Sequence, residues 1–160
     1  MPVLEEVKFL RRYKRFLADV ENSHGEKETV YCPNTGAMTG CDIPGSRAWL
    51  SNSKNIQRKF PKTLEFVETP AGIVGIRSIL ANSLVEEAVS GSVLAGTEEF
   101  KLRSSEPRIP GGKGRFDFLY SAQSKLIFVE VKSVSYLVGK DVGMFPDAVS
   151  ARALKHLQSL

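Results

Sequence analysis

Hydrophobic positions in the first 70 residues fall in short runs that stop at glycine, proline or asparagine. Three such runs are Lys27–Cys32, Arg47–Ser51 and Thr63–Glu68. Short runs of this kind, separated by turn-forming residues, are typical of a small all-β unit. The pattern therefore predicts a β domain in the N-terminal half of the chain.

The segment from Val7 to Val20 fits two different elements. Its apolar positions recur at helical spacing, which favours an amphipathic helix. The residues that share this spacing are Phe9, Leu10, Tyr13, Phe16, Leu17 and Val20. Phe16, Ala18 and Val20 also alternate as in a strand that leads into the turn at residues 22–25. The pattern favours the helix and leaves the strand as the alternative.

Residues 80–160 follow another order, which is a helix, three strands and a second helix. The first helix is predicted to begin at Asn82 or Ser83 and to run to about Val89. Ser83 and Glu86 have the spacing of a capping box, in which each side chain bonds the backbone of the other residue.

Three strands are predicted after this helix, at Glu98–Arg103, Arg115–Tyr120 and Lys125–Lys132. The apolar run in the last of them is typical of a strand that is covered on both faces. Asp147 is a suitable N-cap for the final helix. The segment Glu68–Ala81 contains a proline and a glycine and is the predicted joint between two domains.

The chain has 160 residues, of which 42% are hydrophobic and 25% are charged. This composition is typical of a globular protein. No apolar run reaches the length of a membrane span, and no signal peptide is visible. Cys32 and Cys41 form no C-x-x-C pair, so we expect neither a disulfide framework nor a zinc site. We therefore expect a cytoplasmic protein without a membrane partner.

The net charge is only +4, but the cations are clustered. Five of them lie between Lys8 and Arg15, and a second cluster contains Arg58, Lys59 and Lys62. Such clusters can bind phosphate backbones. A solvated charged face gives the same pattern, so charge alone leaves both interpretations open.

Three residues in the predicted second and third strands have the chemistry of a hydrolytic site. In an extended strand Glu130 and Lys132 project to the same side, and hairpin pairing would bring Asp117 beside Glu130. Two carboxylates provide oxygen ligands for Mg²⁺ or Mn²⁺, which activate a bound water. The lysine can orient that water or neutralise charge on a phosphate. An ordinary cross-strand ion pair has the same residues, so this alternative stays open.

Charged residues on two predicted helices flank this hairpin. Glu86 is the natural capping-box partner, so Glu87 is the preferred acid to support a metal. In the final helix Arg152 and Lys155 share one face with His156. Beside a metal site, Arg152 and Lys155 could guide a phosphodiester backbone. The alternative is that they are ordinary surface cations. The order of acidic helix, hairpin and basic helix matches the core of restriction-endonuclease-like nucleases.

Five stretches of sequence carry a resemblance to a known family. They are Arg12–Val20, Cys32–Gly40, Glu130–Val134, Phe145–Val149 and Lys155–Leu157. Together they resemble the sugar fermentation stimulation protein (SfsA) family. The resemblance implies an α+β protein, with an OB-like β-barrel in residues 1–80 and a restriction-endonuclease-like α/β domain in residues 81–160. It also implies that residues 7–20 form strands of the barrel.

The resemblance further implies binding of single- or double-stranded DNA in a bacterial cytoplasm. The residues expected to contact nucleic acid are Arg12, Tyr13, Lys14, Arg15, Arg58, Lys59, Arg152 and Lys155. Phe16 and Trp49 are further aromatic candidates, since OB folds stack bases on aromatic rings. Of these two, Phe16 is expected to pack in the core.

For the C-terminal domain, the resemblance implies that Asp117 and Glu130 bind Mg²⁺ or Mn²⁺ and that Lys132 and Glu87 assist catalysis. One departure from the family is the extra length at residues 111–114. The implied function is a DNA-binding protein with a metal-dependent nuclease site. The alternative is a non-catalytic transcriptional regulator of sugar (maltose) metabolism.

Members of this family usually continue well past residue 160. A nuclease core of this type needs a further strand after its second helix. We therefore expect a shortened member with an exposed sheet edge. Because an open edge pairs readily with another strand, a homodimer is the expected way to cover it.

Overall fold

The structure is a computed structural model. It describes residues 3–34, 36–55, 57–112, 114–139 and 142–144. The chain divides into two units. The first unit contains the described residues up to Ser78 together with those in 133–144. The second unit contains the described residues of Ile79–Lys132.

Five strands of the first unit form a closed barrel. They are β1 Glu5–Tyr13, β2 Leu17–Glu21, β3 Lys27–Tyr31, β4 Arg47–Asn52 and β5 Lys62–Thr69. Strand β1 pairs antiparallel with β2 and β4, β2 pairs with β3, and β4 pairs with β5. A parallel contact between Tyr31 and Thr63 joins β3 to β5 and closes the circle. This is the five-stranded architecture of an OB fold.

The barrel interior explains why residues 7–20 form strands. Val7 and Phe9 of β1 and Ala18 and Val20 of β2 are buried at alternate positions, as the inner face of a barrel requires. The helix that periodicity favours is therefore wrong. Apolar residues on the outer face, such as half-buried Leu10, fill the gaps in the alternation and produce a helix-like spacing. The three strands predicted downstream are confirmed as β3, β4 and β5.

Three shorter strands complete the first unit. They are β6 Gly72–Gly75, β10 Tyr136–Val138 and β11 Val142–Met144. Strand β6 extends the sheet from β5, while β10 and β11 form a separate hairpin. The thiol of Cys41 contacts the backbone oxygen of Ser135 at 3.1 Å. The described residues of 133–144 thus belong to the barrel unit, whereas the predicted domain boundary placed them in the second domain.

The second unit has one helix and three strands among its described residues. They are α1 Leu80–Ser90, β7 Lys101–Ser105, β8 Phe118–Ala122 and β9 Lys125–Val129. The strands form an antiparallel sheet in the order β7-β8-β9. Val85 and Val89 of α1 pack in one cluster with Phe118 and Tyr120 of β8. The restriction-endonuclease-like α/β architecture is not confirmed, and the helix predicted after Asp147 lies outside the described residues.

Several predicted boundaries in this unit were wrong. Helix α1 begins at Leu80, and Ile79 at its N-cap makes no side-chain capping bond, so Ser83 and Glu86 form no capping box. Strand β8 starts at Phe118 and β9 ends at Val129. Asp117, Glu130 and Lys132 were predicted to lie within strands, but they lie just outside the observed β8 and β9.

Cys32 and Cys41 are buried and free. Burial raises the pKa of both thiols, so both stay protonated near neutral pH. Of the helices that the structure describes, none has the length and apolar character to cross a membrane.

Candidate functional site

The carboxylate of Asp117 is held between a helix and a strand end. Asp117 lies one residue before β8. Its Oδ1 accepts a hydrogen bond from Asn82 Nδ2 at 2.8 Å, and its Oδ2 accepts one from the Val131 backbone N–H at 2.6 Å. Two donors from different elements therefore fix the orientation of this carboxylate.

Glu130 and Lys132 lie at the same end of the hairpin as Asp117. Phe118 of β8 pairs with Val129 of β9, so the residues on either side of this pair are neighbours. Lys132 Nζ lies 2.7 Å from Glu130 Oε1. The structure thus brings Asp117, Glu130 and Lys132 to one place.

The donor set at this hairpin end fits one kind of metal binding. Mg²⁺ in proteins is usually held by one or two carboxylates, and water and substrate phosphates complete its coordination. Asp117 and Glu130 supply two carboxylates, and each oxygen of Asp117 keeps a second lone pair beyond its hydrogen bond. Within the described ranges, no group of three or more histidine, cysteine or acidic residues is placed to hold a metal ion. The residues therefore suit an open, hydrated ion and not an all-protein cage.

The predicted acid of helix α1, Glu87, does not lie on the packed face of the helix. Glu87 is exposed. It lies midway between Val85 and Val89, the two residues that pack against β8. Since each helical residue turns by about 100°, Glu87 lies on the opposite face of the helix. The structure does not bring it to Asp117. Glu86 follows Asn82 by one helical turn. Burial raises the pKa of the Tyr120 phenol, and the charge of Glu86 raises it further.

Asn82 is the functional candidate that sequence reasoning missed. It was considered only as a helix cap, whereas its side chain bonds Asp117. Its spacing offers a signal, because Asn82, Val85 and Val89 follow each other at the i, i+3 and i+7 positions of one helix face. A polar amide at the start of an apolar helix stripe indicates a specific partner.

Two loops at one end of the barrel present cations and aromatic rings. Lys14 and Arg15 form the β1–β2 turn with φ of 50° and 61°, a left-handed conformation typical of tight hairpins. Phe16 follows them and is 47% exposed, so the expectation that it packs in the core was wrong. In the β4–β5 loop, the Arg58 guanidinium lies 5.1 Å from the centre of the Tyr31 ring.

The pairing of strands connects these two loops. Leu17, next to Phe16, is the register partner of Tyr31, the residue that Arg58 covers. Lys59 Nζ lies 5.6 Å from the centre of the Phe60 ring in the same β4–β5 loop. We call Lys14, Arg15, Phe16, Tyr31, Arg58 and Lys59 the loop face.

Arg12 has a structural partner set. Its Nη2 donates to the backbone oxygens of Arg15 at 3.0 Å and Asn34 at 2.6 Å. Arg12 is the register partner of buried Ala18, so it starts from the inner side of the barrel. The structure therefore gives Arg12 a role in closing the barrel end, in contrast to the predicted nucleic-acid contact.

Tyr13 is likewise engaged within the protein. Its hydroxyl bonds Asp19 at 3.1 Å and Thr29 at 3.2 Å, and Arg11 lies 5.1 Å from its ring centre. Trp49 lies within β4 beneath Arg47 and not in either loop. The predicted contacts Arg152 and Lys155, with His156, lie outside the described residues.

Comparison with family models assigns both parts of the chain. The model described as "SfsA N-terminal OB domain" matches residues 10–76. The model described as "Sugar fermentation stimulation protein RE domain" matches residues 79–160. The two matches meet beside Ser78, where the first unit ends and the second begins.

Curated relatives carry the same family name. A "Sugar fermentation stimulation protein homolog" from Thioalkalivibrio sulfidiphilus is 46% identical over 159 residues, which cover 99% of this chain and 67% of the relative. A homolog of the same name from Saccharophagus degradans is 47% identical over 152 residues, which cover 94% of this chain and 65% of that relative. The chain thus spans about two thirds of the length of these relatives.

A solved structure resembles this chain over its full length. It is SfsA from Pyrococcus furiosus in complex with Ca²⁺, with a TM-score of 0.82 and 29% sequence identity. The match covers 100% of this chain and 68% of that protein. The barrel topology, both family models and the curated relatives agree, and the chain belongs to the sugar fermentation stimulation protein (SfsA) family.

Proposed function

We propose that this protein binds DNA and hydrolyses its phosphodiester backbone with the help of a divalent metal. The observation that carries the proposal is the fixed Asp117 carboxylate beside the Glu130–Lys132 pair. Two carboxylates and a lysine at one hairpin end are the groups that metal-assisted phosphodiester hydrolysis uses.

Asp117 and Glu130 would hold the ion in this site. Bound Mg²⁺ or Mn²⁺ supplies a water of lowered pKa and a charge that offsets the one developing on the phosphate. Asn82 and the Val131 N–H keep the Asp117 carboxylate oriented, so little reorganisation is needed on binding. The Ca²⁺ named for the Pyrococcus furiosus relative supports a divalent ion here.

Lys132 has the position to act on the phosphate. Its ammonium bonds Glu130 and its side chain is 42% exposed, so it can exchange this bond for one to a substrate oxygen or to an attacking water. Lysine is a compact point charge, which suits stabilisation of the extra negative charge on the reacting phosphate.

The loop face supports nucleic-acid binding by the barrel. OB folds bind nucleic acids with the β1–β2 and β4–β5 loops and with the face of strands β2 and β3. Exposed Phe16 and the Arg58–Tyr31 pair supply stacking surfaces, and Lys14 and Arg15 supply positive charge. We further propose that α1 and β7–β9 are part of a restriction-endonuclease-like domain, which the name of the second family model supports.

DNA cleavage is the direct test of this function. Purified full chain is incubated with single- and double-stranded DNA in Mg²⁺ or Mn²⁺, and we expect cleavage that EDTA abolishes. Asp117→Asn and Lys132→Ala should remove it. Lys125→Ala is the matched control, because Lys125 lies exposed at the opposite end of the same hairpin. Cleavage that persists in both site variants would refute the assignment.

A second candidate is a DNA-binding regulator without catalysis. It is favoured by the short Glu130–Lys132 ion pair, since a satisfied pair can serve structure alone. The two functions differ in one result. The regulator binds DNA with salt-sensitive affinity but cleaves none in any divalent metal.

A further inference from the structure

The segment that leads into Asp117 is a hairpin that continues the β7–β8 pair. The Glu106 N–H donates to the Asp117 backbone oxygen at 2.9 Å, and the Ile109 N–H donates to the Gly114 oxygen at 3.2 Å. We call its described residues, 106–112 and 114–117, the 106–117 hairpin.

Two apolar residues of the 106–117 hairpin are buried. Ile109 is 4% exposed and Phe116 is 3% exposed. The Phe116 ring lies 5.2 Å from the ring of Phe128 in β9, centre to centre. The hairpin therefore has a fixed place next to the candidate metal site and is not a loose surface loop.

Two arginines face each other across this hairpin. Arg108 and Arg115 are partners in an antiparallel β-bridge, and both are exposed. Arg115 Nη1 lies 2.8 Å from Glu106 Oε2, whereas Arg108 has no ion-pair or hydrogen-bond partner among the residues that the structure describes. Like charges directly opposite each other in a sheet are destabilising. Among the described residues Glu106 pairs with Arg115 alone, so the Arg108 guanidinium adds a positive charge without a counter-charge beside it, which suits the binding of an anion.

We infer that Arg108 and Arg115 bind the phosphate backbone of a nucleic-acid strand as it enters the Asp117 site. Guanidinium groups present a planar fork that fits phosphate oxygens. Arg115 precedes Asp117 by two residues, or about 7 Å of extended strand. A phosphate held there would lie close to the one at the carboxylates. The inference rests on the proposed function, because it names the substrate contact of that site.

The stability of the hairpin separates this role from a structural one. If the arginines served folding, the removal of one would weaken the protein. If the arginines bind phosphate instead, removal of one should weaken DNA binding and leave the stability of the protein intact. Arg108→Ala removes a repulsion, so the unfolding midpoint should stay unchanged or rise, while DNA affinity falls.

DNA affinity measured at several salt concentrations is the deciding experiment. The full chain carries Asp117→Asn and EDTA is present, so that labelled DNA stays intact during fluorescence anisotropy. Each lost phosphate contact should lower the slope of log affinity against log salt by about 0.9 for duplex DNA and about 0.7 for a single strand. We expect this loss for Arg108→Ala and about twice the loss for the double variant Arg108→Ala with Arg115→Ala. Arg108→Lys should keep the slope, and Lys125→Ala is the control cation.

The possible results separate this inference from the proposed function. A double variant that binds DNA with the parent slope would overturn the inference, even where Asp117-dependent cleavage by the natural sequence stands. A lower slope with an unchanged unfolding midpoint supports it, whether or not the protein cleaves DNA. A parent that binds no DNA at low salt would overturn both proposals.

Discussion

The side-chain amide of Asn82 donates a hydrogen bond to Asp117 Oδ1 at 2.8 Å and so links helix α1 to the candidate metal site. Residues that orient a metal ligand typically affect metal affinity by about 10–100-fold. We therefore predict that Asn82→Ala weakens Mn²⁺ binding by a factor in that range, measured by calorimetric titration. Ser83→Ala, an exposed neighbour on the same helix, should leave the affinity unchanged. Equal affinities of the Asn82 variant and the parent would rule out this positioning role.

Arg12 should matter for stability and not for DNA contact. Its guanidinium bonds two backbone oxygens that close the end of the barrel. A hydrogen bond to a charged group contributes about 1.5–3 kcal/mol, so Arg12→Ala should lower the free energy of unfolding by about that amount. Arg15→Ala, on the exposed turn, should change it by less than about 0.5 kcal/mol. Urea unfolding measures the free energy of unfolding of both variants. An equal loss in the two variants would contradict a special structural role for Arg12.

Asp19 should make the barrel sensitive to acid. Burial alone would raise the pKa of Asp19, but hydrogen bonds from Arg11, Thr29 and Tyr13 outweigh it, and the net effect lowers the pKa. A lowered folded-state pKa contributes stability above the unfolded value of about 3.9, and this contribution is lost as the pH falls through the folded-state value.

Asp19→Asn tests this sign directly. The variant should be less stable than the parent near neutral pH, and the difference should shrink as the pH falls below about 3.9. Free energies of unfolding at several pH values provide the measurement, with exposed Asp42→Asn as the control. A difference that stays constant with pH would show that Asp19 acts by packing alone.

Phe16 should contribute to single-strand binding. Its ring is 47% exposed beside the cationic turn, so its removal costs little packing. Stacking of a base on an aromatic ring contributes about 1–3 kcal/mol, which corresponds to a loss of affinity of roughly fivefold or more for Phe16→Ala. Anisotropy with labelled single-stranded DNA measures it, and Ile73→Ala is an exposed apolar control. Unchanged affinity would remove Phe16 from the interface.

Local sequence patterns predicted barrel strands β3 to β5 but not the hairpin formed by β1 and β2. Strands β3 to β5 stand between strong turn residues, which limit the choice of element. In residues 7–20 only inner positions such as Phe9 and Val20 alternate, while outer residues such as Tyr13 are half-buried by partners elsewhere in the chain. Periodicity within one segment contains no information on those partners. The family resemblance instead predicted strands for residues 7–20, as the structure has them.

The proximity of Asp117, Glu130 and Lys132 was predictable because it depends on hairpin register. The Phe118–Val129 pair fixes which residues are neighbours, although β8 starts later and β9 ends earlier than predicted. Long-range partners were not predictable from spacing. The Asn82–Asp117 hydrogen bond joins residues 35 positions apart, and the bond from Arg12 to the Asn34 backbone joins residues 22 apart.

Titration of the full chain with Mn²⁺ tests the central claim, which is that Asp117 and Glu130 form a divalent-metal site. Calorimetry should show one ion bound by the parent and by the Lys125→Ala control. Asp117→Asn and Glu130→Gln should abolish this binding while the unfolding midpoint in EDTA stays within the range of the control. Binding that persists unchanged in both variants would contradict the account.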